Sequence, residues 1–165
     1  MYQYRTAKKT DLPEIIEIYN ATIPSRMVTA DLEPVSVESR EKWYHEHGQD
    51  TRPLWVVEMD QKIAGWLSFS SFYGRPAYQG TAEISIYIHS SFQGMGMASY
   101  LLAAALDRAP EFGIRVVLGF IFGHNEPSLQ LFQKFGFEQW GFLPKVAVLD
   151  SRECDLVIVG RKISP

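Results

Sequence analysis

Gln93-Gly94-Met95-Gly96-Met97-Ala98-Ser99 is the stretch whose reading decides the fold. It joins a strand-like run, Thr81–His89, to a helical one, Met97–Ala109. In the first run Ile84, Ile86 and Ile88 alternate with Glu83, Ser85 and Tyr87, which sends apolar and polar side chains to opposite faces of a strand. In the second, Leu101, Leu102, Ala105 and Leu106 recur at helical spacing. Glycines this close together let main-chain N–H groups converge on an anion, and the following helix adds unpaired first-turn donors and its positive dipole end. A pyrophosphate can sit in such a turn without any basic side chain. Gly94 and Gly96 do not complete a dinucleotide fingerprint, because position 99 is Ser, nor a P-loop, because no Lys follows Gly96. The same glycines also suit a tight strand-to-helix turn that binds nothing.

Toward the N-terminus, Leu54–Met59 and Ile63–Phe72 read as strands separated by the turn Asp60-Gln61-Lys62. Tyr2–Ala7 alternates as a strand. Asp11 with Glu14 has the form of a capping box, Pro13 fits a first turn, and Leu12, Ile15, Ile16 and Tyr19 give a helical apolar face to about Ala21. Ser36 is placed to cap a second helix containing Trp43 and Tyr44. Toward the C-terminus, Arg115–Phe122 reads as a buried strand and Pro127–Phe135 as a short helix. Gln139–Leu149 and Cys154–Lys162 read as two final strands. The order β-α-α-β-β-β-α-β-α-β-β predicts an α/β domain over residues 1–165, with a mixed sheet and helices on both faces.

A chain of 165 residues, 46% hydrophobic, suits one domain with a core and room for a cleft. No apolar run is long enough to span a bilayer and Met1 leads into a polar strand, so neither membrane nor leader is expected. The net charge of −3, without a Lys/Arg stripe, argues against nucleic acid as a partner. The single cysteine, Cys154, excludes an internal disulfide and fits the cytoplasm. His45 and His47 lack the partners of a metal site, and none is expected.

Gln93-x-x-Gly96-x-Ala98 resembles the Q/R-x-x-G-x-G/A signature with which GNAT acetyltransferases bind the pyrophosphate of acetyl-CoA. Trp55-Val56-Val57-Glu58 and Ile63-Ala64-Gly65-Trp66 resemble the family's preceding strand pair. Asn125-x-x-Ser128 through Phe132 and Gly136-Phe137 resembles its second block. Within the family, Ile18-Tyr19-Asn20-Ala21, Glu83 ahead of Ile86-Tyr87-Ile88, and Cys154-Asp155-Leu156 resemble the phosphinothricin and methionine sulfoximine acetyltransferase group. The resemblance implies a mostly antiparallel sheet of about seven strands in which one parallel pair splays apart. It also implies acetyl-CoA as acyl donor, a small amino-acid-like amine as acceptor, and a homodimer. The loop Phe72–Tyr78 and the run Arg152-Glu153-Cys154 depart from the group's usual residues.

By that resemblance the donor site comprises Gln93, Gly94, Met95, Gly96, Met97, Ala98 and Ser99, the main chain around Ile86, Tyr87 and Ile88, and Asn125 with Ser128. The last two also suit helix capping. Glu83 is the candidate general base, acting through ordered water or with a pKa raised by burial; a solvated strand residue is the plainer reading. Tyr73 and Arg75 are candidate acceptor contacts, Arg75 as a carboxylate clamp or as a solvated loop arginine. Phe132 stands where many family members have a tyrosine that protonates the departing thiol, so either another group or water protonates the thiolate or it leaves unassisted. Tyr87 is a candidate substitute, though a tyrosine on a strand is more often a packed aromatic. Cys154 is read as a small packed residue, since direct transfer needs no acyl-enzyme. A protein acetyltransferase acting on an N-terminus or lysine, and a non-catalytic acyl-CoA-binding module, are the competing functions.

Overall fold

The alternating and helical patterns settle into β1 (Tyr2–Thr6), α1 (Leu12–Thr22), α2 (Glu41–His45), β2 (Leu54–Met59), β3 (Lys62–Ser71) and β4 (Thr81–Ile88). They continue through α3 (Met97–Arg108), β5 (Val116–Phe122), α4 (Glu126–Lys134), β6 (Glu138–Leu149) and β7 (Arg152–Lys162). The structure, a computed structural model, describes residues 1–163; the last two residues of the expected domain lie outside the described residues. The strands form one seven-stranded sheet in the order β1-β2-β3-β4-β5-β7-β6. Every neighbouring pair is antiparallel except β4 and β5.

Helices cover both faces, as the element order predicts. On one face Leu101, Leu102, Ala105 and Leu106 of α3 and Phe132 of α4 pack with Ile84, Val117, Ile121 and Val157. On the other, Ile15 and Ile18 of α1 meet Val56, Ile63 and Trp66, with Trp43 and Tyr87 against them. Burying each of these aliphatic side chains is worth about 1.5–3 kcal/mol. Cys154 is packed with Phe122 and Leu149, as a small apolar residue. Among the described residues no helix is long and apolar enough to cross a membrane.

Two local readings meet different physics. Asp11 makes no side-chain bond to the start of α1, so the expected capping box with Glu14 does not form. Its carboxylate instead accepts from the Lys8 N–H at 2.7 Å and from the Arg5 guanidinium at 2.8 and 3.1 Å. Burial alone would raise the Asp11 pKa; the Arg5 and Lys8 hydrogen bonds outweigh it and hold the carboxyl below its ordinary range. Ser36 Oγ accepts from the Ser39 N–H at 3.1 Å, but the N-caps are Val37 for a 3-10 turn over Glu38–Arg40 and Arg40 for α2, so the expected Ser36 cap of α2 does not form. Asp60 and Gln61 both have positive φ, 53° and 63°, as a two-residue hairpin turn demands.

The functional geometry depends on how close α4 lies to β5. A Cβ built on Gly119 would stand 3.0 Å from Val159 Cγ2 and 3.4 Å from Phe132 Cε1. Gly119→Val is therefore expected to push α4 off the sheet and cost about 1–3 kcal/mol. Urea unfolding would show this as a lower midpoint with an unchanged slope. An unchanged midpoint would mean that the helix has room the geometry denies it.

Candidate active site

The turn into α3 has the conformation that its glycines imply. Gly94 and Gly96 have φ of 79° and 82°, the left-handed region where a side chain is penalised. Gly96 is the N-cap of α3, and no side chain caps the first-turn amides. The first helical bond runs from the Tyr100 N–H to the Gly96 carbonyl at 3.0 Å, which leaves the donors of Met97, Ala98 and Ser99 directed out of the helix end. Tyr2 Oη donates to the Met95 carbonyl at 2.9 Å, which ties the turn to β1. The result is a cradle of N–H groups at the positive end of a twelve-residue helix.

The cradle opens onto a gap between strands. β4 and β5 are in register only at Thr81↔Val116, Ala82↔Val117 and Glu83↔Leu118. Beyond Glu83 they part, although β4 stays paired with β3 to Ile88 and β5 with β7 to Phe122. The His89 N–H bonds the Ala64 carbonyl of β3 at 2.8 Å. Strand alternation therefore turns the main-chain groups of Ile88 and Ile86 toward the gap. A cavity of about 580 Å³ fills it, lined by both strand edges, the cradle, Asn125, Ser128 and Phe132, and roofed by Ser25, Met27 and Val28. Its size and its apolar trough ending in an amide nest fit a long thiol ester carrying a phosphate group.

A second cavity, about 190 Å³, lies on the α1–α2 side of the same strand. Cross-strand pairs form its floor: Trp66 beside Tyr87, Ser68 beside Ser85, and Ser70 beside Glu83. Tyr19, Arg40 and Trp43 complete the walls. Tyr87 leans on Trp66 with ring centroids 4.6 Å apart and meets Tyr19 edge-on at 5.2 Å. Burial raises the Glu83 pKa, and no hydrogen bond or ion pair engages its carboxylate among the described residues. Burial likewise raises the Tyr87 phenol, which stays protonated through neutral pH. Ser85 and Tyr87 border both cavities, so the two spaces meet at β4.

Gln93, Gly94, Gly96, Met97, Ala98, Ser99, Ile86, Tyr87, Ile88, Asn125 and Ser128 all line the larger cavity, and Glu83 lines the smaller. Met95, half-exposed, is not among the lining residues. Asn125 is buried and caps α4, its Oδ1 accepting from the Ser128 N–H at 3.3 Å. Capping and cavity lining thus coexist in one side chain. Tyr73 and Arg75 are exposed and border neither cavity; Tyr73 packs on Phe72 at 4.3 Å and Tyr78 at 5.5 Å. The sequence reading missed Arg40, Trp43, Trp66, Ser68 and Ser70. The alternation Trp66-x-Ser68-x-Ser70 within an otherwise apolar strand was the available signal for the last three. Among the described residues no cluster of His, Cys, Asp and Glu could hold a metal.

A parallel strand pair parted over an apolar trough, with an amide nest at one end and a half-buried carboxylate behind it, is the frame of an acyl-CoA-dependent transferase. Residues 12–137 match the Acetyltransferase (GNAT) family, and the chain belongs to that family, whose members take the acetyl group from acetyl-CoA. It is 52% identical over 161 residues to "Putative phosphinothricin acetyltransferase YwnH" of Bacillus subtilis, spanning 97% of this chain and 98% of that one. It is 28% identical over 162 residues to the L-methionine sulfoximine/L-methionine sulfone acetyltransferase of Pseudomonas aeruginosa, spanning 98% and 94%. The phosphinothricin acetyltransferase of Sinorhizobium meliloti, solved in complex with acetyl-CoA, matches with a TM-score of 0.92 at 25% identity, over 99% of this chain and 89% of that one. The resemblance to the phosphinothricin and methionine sulfoximine group holds across nearly the whole chain.

Gly96→Glu combines a strained left-handed backbone with a carboxylate beside the amides. It is expected to weaken acetyl-CoA binding by roughly 100-fold, about 2.7 kcal/mol. Titration calorimetry on the folded variant would read this directly, and wild-type affinity would remove the anion cradle from the site.

Proposed function

We propose that this chain, acting as one catalytic domain over residues 1–165, transfers an acetyl group from acetyl-CoA to the primary amine of a small amino-acid-like substrate by direct attack in a ternary complex. The observation that carries the proposal is the meeting of the two cavities at Ser85 and Tyr87, with the unpaired Glu83 on the acceptor side. Acetyl-CoA, held by the amides of Gly94–Ser99 and by the edges of β4 and β5, supplies a thioester for the amine to attack. Asn125 and Ser128 border the arm that joins its ends. The Ile86 N–H, turned into the gap, is the donor assigned to the negative charge developing on the thioester oxygen; loss of such a donor elsewhere costs about 2.7–4 kcal/mol.

Glu83 is assigned the proton of the acceptor ammonium, directly or through water held by Ser68, Ser70 and Ser85. An ordinary carboxylate is a weak base for this task, and the upward shift imposed by burial narrows the mismatch. Phe132 has no proton to give, and burial makes the Tyr87 phenol a weaker acid than a thiol. The thiolate is therefore assigned to leave unassisted or to take its proton from water, a thiol pKa of about 8.5 making it a tolerable leaving group. The small acceptor cavity favours free amino acids over polypeptide amines. A homodimer is supported by β6, an edge strand on which Trp140, Phe142, Leu143, Val146 and Val148 stay exposed. A cytoplasmic location agrees with a lone, buried Cys154.

The deciding experiment is thiol release from acetyl-CoA against free amino acids, methionine sulfone, methionine sulfoximine, phosphinothricin, polyamines and short peptides. Turnover with one amino-acid class supports the proposal. Turnover with peptides alone would replace it with protein acetylation, and acetyl-CoA binding without turnover of any amine would reduce the chain to a binding module.

Glu83→Gln is expected to lower kcat by roughly 100-fold or more and to abolish the acidic limb of the pH–rate profile, with acetyl-CoA affinity retained. A raised carboxyl binds its proton more tightly folded than unfolded. Wild-type stability is therefore present at low pH and falls as pH rises from the ordinary carboxylate range through the raised value. Glu83→Gln removes that loss, so at pH 8 the inactive variant is expected to melt no lower than wild type. An active Glu83→Gln enzyme with an unaltered pH profile would sink the assignment.

A further inference from the structure

Two opposite charges border the acceptor cavity without pairing with each other. Glu83 enters from β4 with no partner among the described residues, and Arg40 enters from the turn that leads into α2. A guanidinium offers five N–H donors in a planar fork. Among the described residues Arg40 makes one hydrogen bond, from Nη2 to Asp31 at 3.0 Å. Its Cζ lies 5.6 Å from the centroid of the Tyr19 ring, and the Tyr19 hydroxyl bonds both Thr29 and Asp31. Asp31 and Tyr19 thus fix the plane of the guanidinium and leave its remaining donors uncommitted. The Arg40–Asp31 pair is itself partly exposed, at 32% and 39% of its side chains, and such a pair contributes little to stability. Stability gives Arg40 little reason to be there; a ligand would.

The space between the charges has a definite character. Tyr87 leans on Trp66, and Trp66 meets Trp43 edge-on, along it, with Trp43 and Trp66 centroids 5.4 Å apart. At about 190 Å³ it falls below the roughly 300–1,000 Å³ typical of sites for drug-sized ligands, which restricts the occupant to about one residue. An unpaired carboxylate, a guanidinium with spare donors and an aromatic wall make a site for a zwitterion with an apolar side chain.

We infer that Arg40 is the anchor for the α-carboxylate of the acceptor, with Glu83 at its α-amine and Trp43 and Trp66 along its side chain. The assignment rests on the acceptor reading above and deepens it: the substrate class becomes free α-amino acids with an unblocked carboxylate. Arg75, to which the loop sequence pointed, borders neither cavity. Because a carboxylate binds a guanidinium through charge-assisted, commonly paired hydrogen bonds, the anchor discriminates sharply against neutral analogues.

The test compares L-methionine sulfone, its carboxamide and 3-(methylsulfonyl)propylamine as acceptors for wild type, Arg40→Gln and Arg40→Lys. The readout is the ratio of kcat/KM for the acid to that for the amide, which does not depend on how much of a variant is folded. Wild type is expected to prefer the acid. Arg40→Gln is expected to cut the ratio by roughly 30- to 100-fold through KM, and Arg40→Lys to retain part of it. A ratio unchanged in Arg40→Gln, with all acceptors impaired alike, would make Arg40 a scaffold for α2 and overturn the inference. So would a ratio kept in Arg40→Gln but lost in Arg75→Gln. A wild-type enzyme that acetylates peptides and none of the three probes would overturn the acceptor reading itself, and the anchor with it.

Discussion

The parting of β4 from β5 after Glu83 is the constraint on which the rest of this molecule depends. A parallel pair that stayed in register to Ile88 and Phe122 would close the gap, and no place for a thioester would remain. The core keeps the strands apart, because each is held on its far edge by an antiparallel partner: β3 for β4, β7 for β5. Beneath them, Ile84 and Ile121 are packed with α3 and α4. Main-chain groups left facing a dry gap would each cost about 1–3 kcal/mol. Facing a solvated cleft they are hydrated in the free protein and positioned for a ligand that runs alongside as an extra strand. Gly119, at the start of the divergence, lets Phe132 approach closely enough for α4 to form the cleft's far wall.

The division of labour follows from the period of a strand. Ile84, Ile86 and Ile88 occupy the face toward α3; Glu83, Ser85 and Tyr87 occupy the face toward α1 and α2. One strand thus separates the two cavities, which among the described residues meet at Ser85 and Tyr87. A shift of one residue in the register of β4 would send Glu83 into the core and an isoleucine into the smaller cavity. The seven consecutive pairs with β3, Gly65↔Ile88 through Ser71↔Ala82, hold that register.

What could be read from sequence was what is decided within a few residues. Gly94 and Gly96 announced their backbone conformation because few other residues adopt it cheaply. The alternation of β4 announced its faces because the period is local. Asn125 announced a cap, and three residues suffice to make one. Asp11 misled because its strongest partner, Arg5, is on a neighbouring strand, and a guanidinium plus the Lys8 amide outcompete a helix end for one carboxylate. The smaller cavity was hardest to see. Tyr19, Arg40, Trp66 and Glu83 come from four separate elements, and only the antiparallel pairing of β3 with β4 and the packing of α1 bring them together. Tyr73 and Arg75 looked suitable by residue type, but the loop turns outward and stacks its aromatics on one another.

The roof of the donor cleft shows the same reliance on distant partners. Ser25, Met27 and Val28 line the cavity from the segment after α1. That segment is fastened through Arg26, whose φ of 55° places it in the left-handed region. Its guanidinium forks onto Asp150 at 2.7 and 3.2 Å, and its carbonyl meets His124 Nε2 at 2.7 Å. Asp150 is in the β6–β7 turn and His124 follows β5, so the β5–β7–β6 half of the parted sheet fastens the roof at one residue. The Arg26–Asp150 pair faces solvent and is screened by salt, which makes it a weak source of stability. Its bidentate geometry nonetheless specifies direction. A contact of that kind positions a segment without locking it, as a cleft that must admit and release a long cofactor requires.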